Sequence, residues 1–65
     1  MSQPTRKGDR WKSEPTSLTT CIVTRMSRTL DWVDIACMQV TEGGYYSVWS
    51  KRMPEGIPDT WVRAV

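Results

Sequence analysis

The sequence predicts an α+β fold, a small three-stranded and mainly antiparallel sheet with one packed helix, in the order β-α-β-β after a flexible N-terminal arm. Three observations lead there. SLTTCIVTRM (17–26) is rich in β-branched residues, TLDWVDIACMQV (29–40) gathers apolar residues on one side at helical spacing, and YYSVWSKRM (45–53) alternates after a glycine pair. The alternative is a small all-β meander or barrel.

Residues 1–17, MSQPTRKGDRWKSEPTS, hold two of the four prolines, and Trp11 is their only large hydrophobe. This composition reads as a flexible basic arm, with residues 18–65 as one small α+β domain. Trp11, between Arg10 and Lys12, either folds back over the core or anchors a partner. A 65-residue chain removes only about 60% of its unfolded surface from water. With no phenylalanine, its four tryptophans must supply much of the core.

In the first strand, Leu18, Thr20, Ile22 and Thr24 alternate with Thr19, Cys21, Val23 and Arg25, so both faces carry apolar groups. The helix is expected over 30–42. At about 100° per residue, Leu30, Trp32, Val33, Ala36, Cys37 and Val40 share one side, and Asp31, Asp34, Gln39, Thr41 and Glu42 the other. Thr29 would cap it, Asp31 and Asp34 would favour its positive end, and Gly43 or Gly44 would end it. The β-branched Val33, Ile35, Val40 and Thr41 oppose this reading; were the segment a strand, the glycine pair would become a hairpin turn. The next strand sets Tyr45, Ser47, Trp49 and Lys51 against Tyr46, Val48, Ser50 and Arg52. MPEGIPDT reads as a loop, and TWVRAV closes the chain by alternating Trp61, Arg63 and Val65 with Val62 and Ala64.

Histidine is absent, which removes the commonest general base near neutral pH and the commonest metal ligand. No nucleophile elbow, zinc-protease, P-loop or dinucleotide motif occurs. Cys21 and Cys37 lack CxxC spacing and sit in apolar runs, which reads as reduced core residues, with a single bridge as the alternative. The expectation is a non-enzyme without cofactor or metal. No run reaches the roughly 18 apolar residues of a membrane span, and MSQPTRKGDR has no apolar signal stretch, so the expected location is cytoplasmic.

The leading functional expectation is a small protein-binding module, a regulator or inhibitor that docks on a larger protein. Its surface would centre on Ile35 and Met38, three residues apart on the polar side of the helix, bordered by Asp31, Asp34 and Glu42, with Trp11 as a further anchor. The second expectation is nucleic-acid binding, with Arg6, Lys7, Arg10, Lys12, Lys51 and Arg52 as cations and Tyr45 and Trp49 as stacking rings. Charge placement argues against it. The formal +2 falls entirely in residues 1–17, whereas residues 18–65 balance five cations with five carboxylates. The third expectation is a self-associating structural subunit, a homodimer through an open sheet face or edge.

Overall fold

The computed structural model describes residues 2–29 and 31–64, and these form strands and turns only. Seven strands follow in order: β1 (Ser2–Gln3), β2 (Arg10–Lys12), β3 (Thr19–Met26), β4 (Val33–Val40), β5 (Tyr46–Met53), β6 (Ile57–Pro58) and β7 (Val62–Arg63). Five make an antiparallel sheet in the order β5-β4-β3-β2-β7, and β1 pairs with β6 in a separate ribbon. Among the described residues no helix is long and apolar enough to cross a membrane.

The helix expected over 30–42 does not form, and the α+β class is corrected to all-β. In its place stands β4, an interior strand paired along both edges, with β3 on one side and β5 on the other. The period is two: Val33, Ile35 and Cys37 are buried, while Asp34, Ala36 and Met38 face away. Asp31 obscures that alternation in the sequence, but it precedes the strand. It accepts a hydrogen bond from Thr29 Oγ1 at 2.6 Å, and its own N–H donates to Ser27 Oγ at 2.8 Å. Thr29 and Asp31 are thus turn residues rather than a helix start. Gly44 takes the expected left-handed backbone, φ 82°, but in the β4–β5 turn rather than at a helix end. Leu30 and Val65, assigned to the helix face and the closing strand, lie outside the described residues.

Register sets the core. Cys21, Val23 and Met26 of β3 pair with Cys37, Ile35 and Val33 of β4, and across β4 these meet Trp49, Lys51 and Met53 of β5. An irregularity between Val23 and Arg25 shifts the pairing, which lets Val23 and Met26, three residues apart, point to the same side. Trp11, Cys21, Val23, Val33, Ile35, Cys37, Met53 and Ile57 form the buried cluster, with Met26 and Trp61 packed against it.

The segment read as a basic arm contributes β1 and β2. Trp11 is 1% exposed, and its Nε1 donates to Thr5 Oγ1 at 2.8 Å, so the indole meets both its apolar and its polar requirement inside the domain. Burial of such a ring contributes up to about 5 kcal/mol. Gly8, at φ 95°, brings its N–H to the Val23 carbonyl at 2.8 Å, and the Val23 N–H returns to the Asp9 carbonyl at 2.9 Å. Arg63 then ties the chain ends together. It donates to Asp9 Oδ2 at 3.0 Å and to the Pro4 carbonyl at 3.1 Å, with its guanidinium carbon 4.6 Å from the Trp11 ring centroid.

Candidate protein-binding surface

One face of the five-stranded sheet covers the core and the other is open. The paired registers place Ile22 beside Ala36, which faces Ser50, and Thr20 beside Met38, which faces Val48; Val40 faces Tyr46 at the far end. Leu18, just before β3, is also exposed. The exposures are those of a surface with no cover: 47% for Met38, 63% for Val48, 50% for Val40 and 68% for Tyr46. Arg10 and Lys12 flank these rows, because they alternate with the buried Trp11 and so point to the open side. A shallow groove of about 470 Å³ runs between Arg10, Thr20, Ile22, Ala36, Met38 and Val48.

The β4–β5 hairpin extends this surface beyond the core. All residues from 41 to 52 are exposed, although they include Tyr45, Tyr46, Val48 and Trp49. The turn is nevertheless well formed. The Thr41 N–H donates to the Tyr45 carbonyl at 2.8 Å and the Gly44 N–H to the Thr41 carbonyl at 3.0 Å. An ordered hairpin that holds aromatic and branched side chains in water is the largest mismatch between side-chain chemistry and environment in the molecule.

The residues expected to form an interface on the helix are dispersed. Ile35 is 1% exposed in the core, whereas Met38 points to the open face, as their odd spacing on a strand requires. Asp34 is on the open side but is held by Arg52, with Nε to Oδ1 at 2.7 Å and Nη2 to Oδ2 at 3.1 Å. These hydrogen bonds, more than the longer-range charge attraction, keep the Asp34 carboxyl below its ordinary pKa against a smaller opposing effect of burial. Asp31 lies in the turn before β4, Glu42 in the distal turn, and Trp11 in the core. Of the six expected interface residues, Met38 is the one on the exposed apolar rows.

The expected nucleic-acid set is also divided. Arg6 and Lys7 belong to the turn before β2, and Tyr45 to the hairpin turn. Trp49 and Lys51 alternate with Tyr46, Val48 and Arg52 and so occupy the opposite face of β5. Arg52 is engaged by Asp34 and stacks over Trp32 at 4.0 Å. The rings and cations therefore do not share one stacking face.

The sequence places Tyr46 and Val48 on one strand face and leaves one face of the sheet open, but it does not join them to Leu18, Ile22 and Val40. A signal was present in SLTTCIVTRM, whose two faces are both apolar; a sheet with one covered face must leave one set in water. Among the described residues no group of three or more metal-ligating side chains is assembled. Cys21 and Cys37, the strongest nucleophiles by type, are buried, and burial followed by the neighbouring thiol pushes Cys21 up to about 12. No family model, curated protein or solved structure matches this chain, which leaves the chemistry of its own surface to indicate its role.

Proposed function

We propose that the chain is a small non-catalytic protein-binding module that docks through the open face of β3–β5 and the projecting β4–β5 hairpin. The observation that supports this reading is the exposed register of Met38 with Val48 and Val40 with Tyr46. Apolar side chains at the centre of an interface and charged ones at its rim are the usual anatomy of protein recognition. Here the rim near the apolar rows is cationic, through Arg10 and Lys12. The complementary partner is a larger protein with an apolar groove bordered by carboxylates.

A photo-crosslinking side chain at position 48 tests the reading. The expected result is one heterologous protein adduct in lysate, reproduced with that protein purified and weakened at least tenfold by Met38→Ser with Tyr46→Ser. Adducts only with a second copy would favour self-association, and material sensitive only to nuclease would favour nucleic acid. Either result, or no adduct, overturns the proposal.

A further inference from the structure

Cys21 and Cys37 are directly opposite residues of β3 and β4, and their Sγ atoms lie 2.7 Å apart. Directly paired residues of an antiparallel ladder have Cα atoms about 4.5 or 5.5 Å apart, depending on the pair type. Both values lie inside the roughly 4.4–6.8 Å window of disulfides. The two side chains also share the covered face, so no strand needs to rotate to bring the sulfurs together.

We propose that this pair is a redox modification site, at which Cys21 and Cys37 join as an intramolecular disulfide by exchange with a small-molecule disulfide. One cysteine thiolate attacks a sulfur of the small disulfide, forming a mixed disulfide and expelling the first small thiol. The second cysteine then attacks its neighbour's sulfur, forming the Cys21–Cys37 bond and expelling the second small thiol. The protein dithiol is oxidised, the small disulfide is reduced to two thiols, and the two cysteine protons end on those thiols.

Two features favour this product over the alternatives. Cys21 and Cys37 are 4% and 3% exposed, which disfavours coupling to another protein molecule. Reagent access is nevertheless provided by a cleft of about 200 Å³ that reaches both cysteines between Ser13, Thr19, Trp49 and Trp61. Lys51 also lines this cleft, and its charge opposes, as a minor influence, the burial that holds Cys21 protonated. The bond would close a loop between positions 16 apart and lock the two central strands. Cys37 stands between Ala36 and Met38, so the locked strand is the one that carries part of the exposed apolar face. The proposal does not depend on what docks there.

The test equilibrates the reduced wild-type protein with mixtures of reduced and oxidised glutathione, traps thiols by alkylation, and reads intact mass and a peptide map. The expected end product is a monomer lacking two hydrogens and both alkylation sites, with Cys21 linked to Cys37. Its melting temperature should rise by about 10 °C, reversibly with dithiothreitol. Cys37→Ser should abolish the two-hydrogen loss. The wild-type peptide map decides the question without that variant if it does not fold. Thiols that stay alkylatable under the most oxidising mixture, a glutathione adduct as the end state, or a cross-linked dimer would each overturn the proposal.

Discussion

Arg52 holds Asp34 across the β4–β5 ladder with two of its nitrogens, at 2.7 and 3.1 Å, and the two residues are direct partners in the register. Two groups expected to meet external partners of opposite charge instead neutralise each other. Asp9 is held in a similar way by Arg63 at 3.0 Å, and both carboxyls lie below the usual carboxylate range, chiefly through these hydrogen bonds. A carboxyl lowered in the folded state adds stability above its unfolded pKa and loses it as pH falls through the folded one. Stability should therefore decline as the pH falls below the ordinary aspartate pKa of about 4, and less steeply in Asp9→Asn with Asp34→Asn. Urea titrations at stepped pH check this. Near neutrality the loss from either single variant should be small, because the pairs are at the surface.

Replacing Ile35 and Met38 separately distinguishes the strand from the expected helix. Ile35→Ser removes a fully buried side chain and should cost about 3 kcal/mol or more, while Met38→Ser should stay within about 0.5 kcal/mol. Denaturation midpoints of the two variants give the comparison. Equal tolerance would mean that the two side chains share one environment.

Trp11 should be indispensable to folding. Trp11→Ala is expected to cost about 3–5 kcal/mol, which is most of the stability of so small a domain. Trp11→Phe, which removes the hydrogen bond to Thr5 while keeping a ring, should cost about 1–2 kcal/mol. Loss of amide dispersion in a two-dimensional NMR spectrum would report the first, and a lowered but cooperative melting transition the second.

The hairpin turn should be sensitive at one glycine more than at the other. Gly44 has φ 82° and open space around it, so Gly44→Ala pays only for backbone conformation, about 1–2 kcal/mol. At Gly43 an added Cβ would meet the Tyr45 ring at 3.1 Å, and that ring is 78% exposed and free to turn away. Gly43→Ala should therefore cost less, as thermal melts of both variants would show.

Much of the strand layout was legible because β-branched and aromatic runs bounded by turn residues have few alternatives. The strands expected at 17–26 and 45–53 appear as β3 and β5, whereas the glycine pair, expected to end a helix, lies in the hairpin turn between β4 and β5. The segment 30–42 was misread because LDWVDIACMQV satisfies both periods. Asp31 and Asp34 tipped the pattern toward a helix, although one lies in a turn and the other is matched by Arg52, 18 residues away. The apolar rows were not legible because a face is made by register between strands, and register is fixed by pairing partners outside each local window.

The sequence by itself determined a small chain without histidine or a catalytic motif, with strong β-forming runs at 17–26 and 45–53 and an element boundary at Gly43–Gly44. Composition and local backbone preference are enough for those conclusions. Only the tertiary structure decided that 33–40 is a strand, that Trp11 belongs to the core, that Cys21 and Cys37 touch, and that Met38 and Val48 remain in water. Each of these depends on a nonlocal partner. A segment of ambiguous period takes the structure whose edges can be hydrogen-bonded, and β3 and β5 supplied both edges to β4.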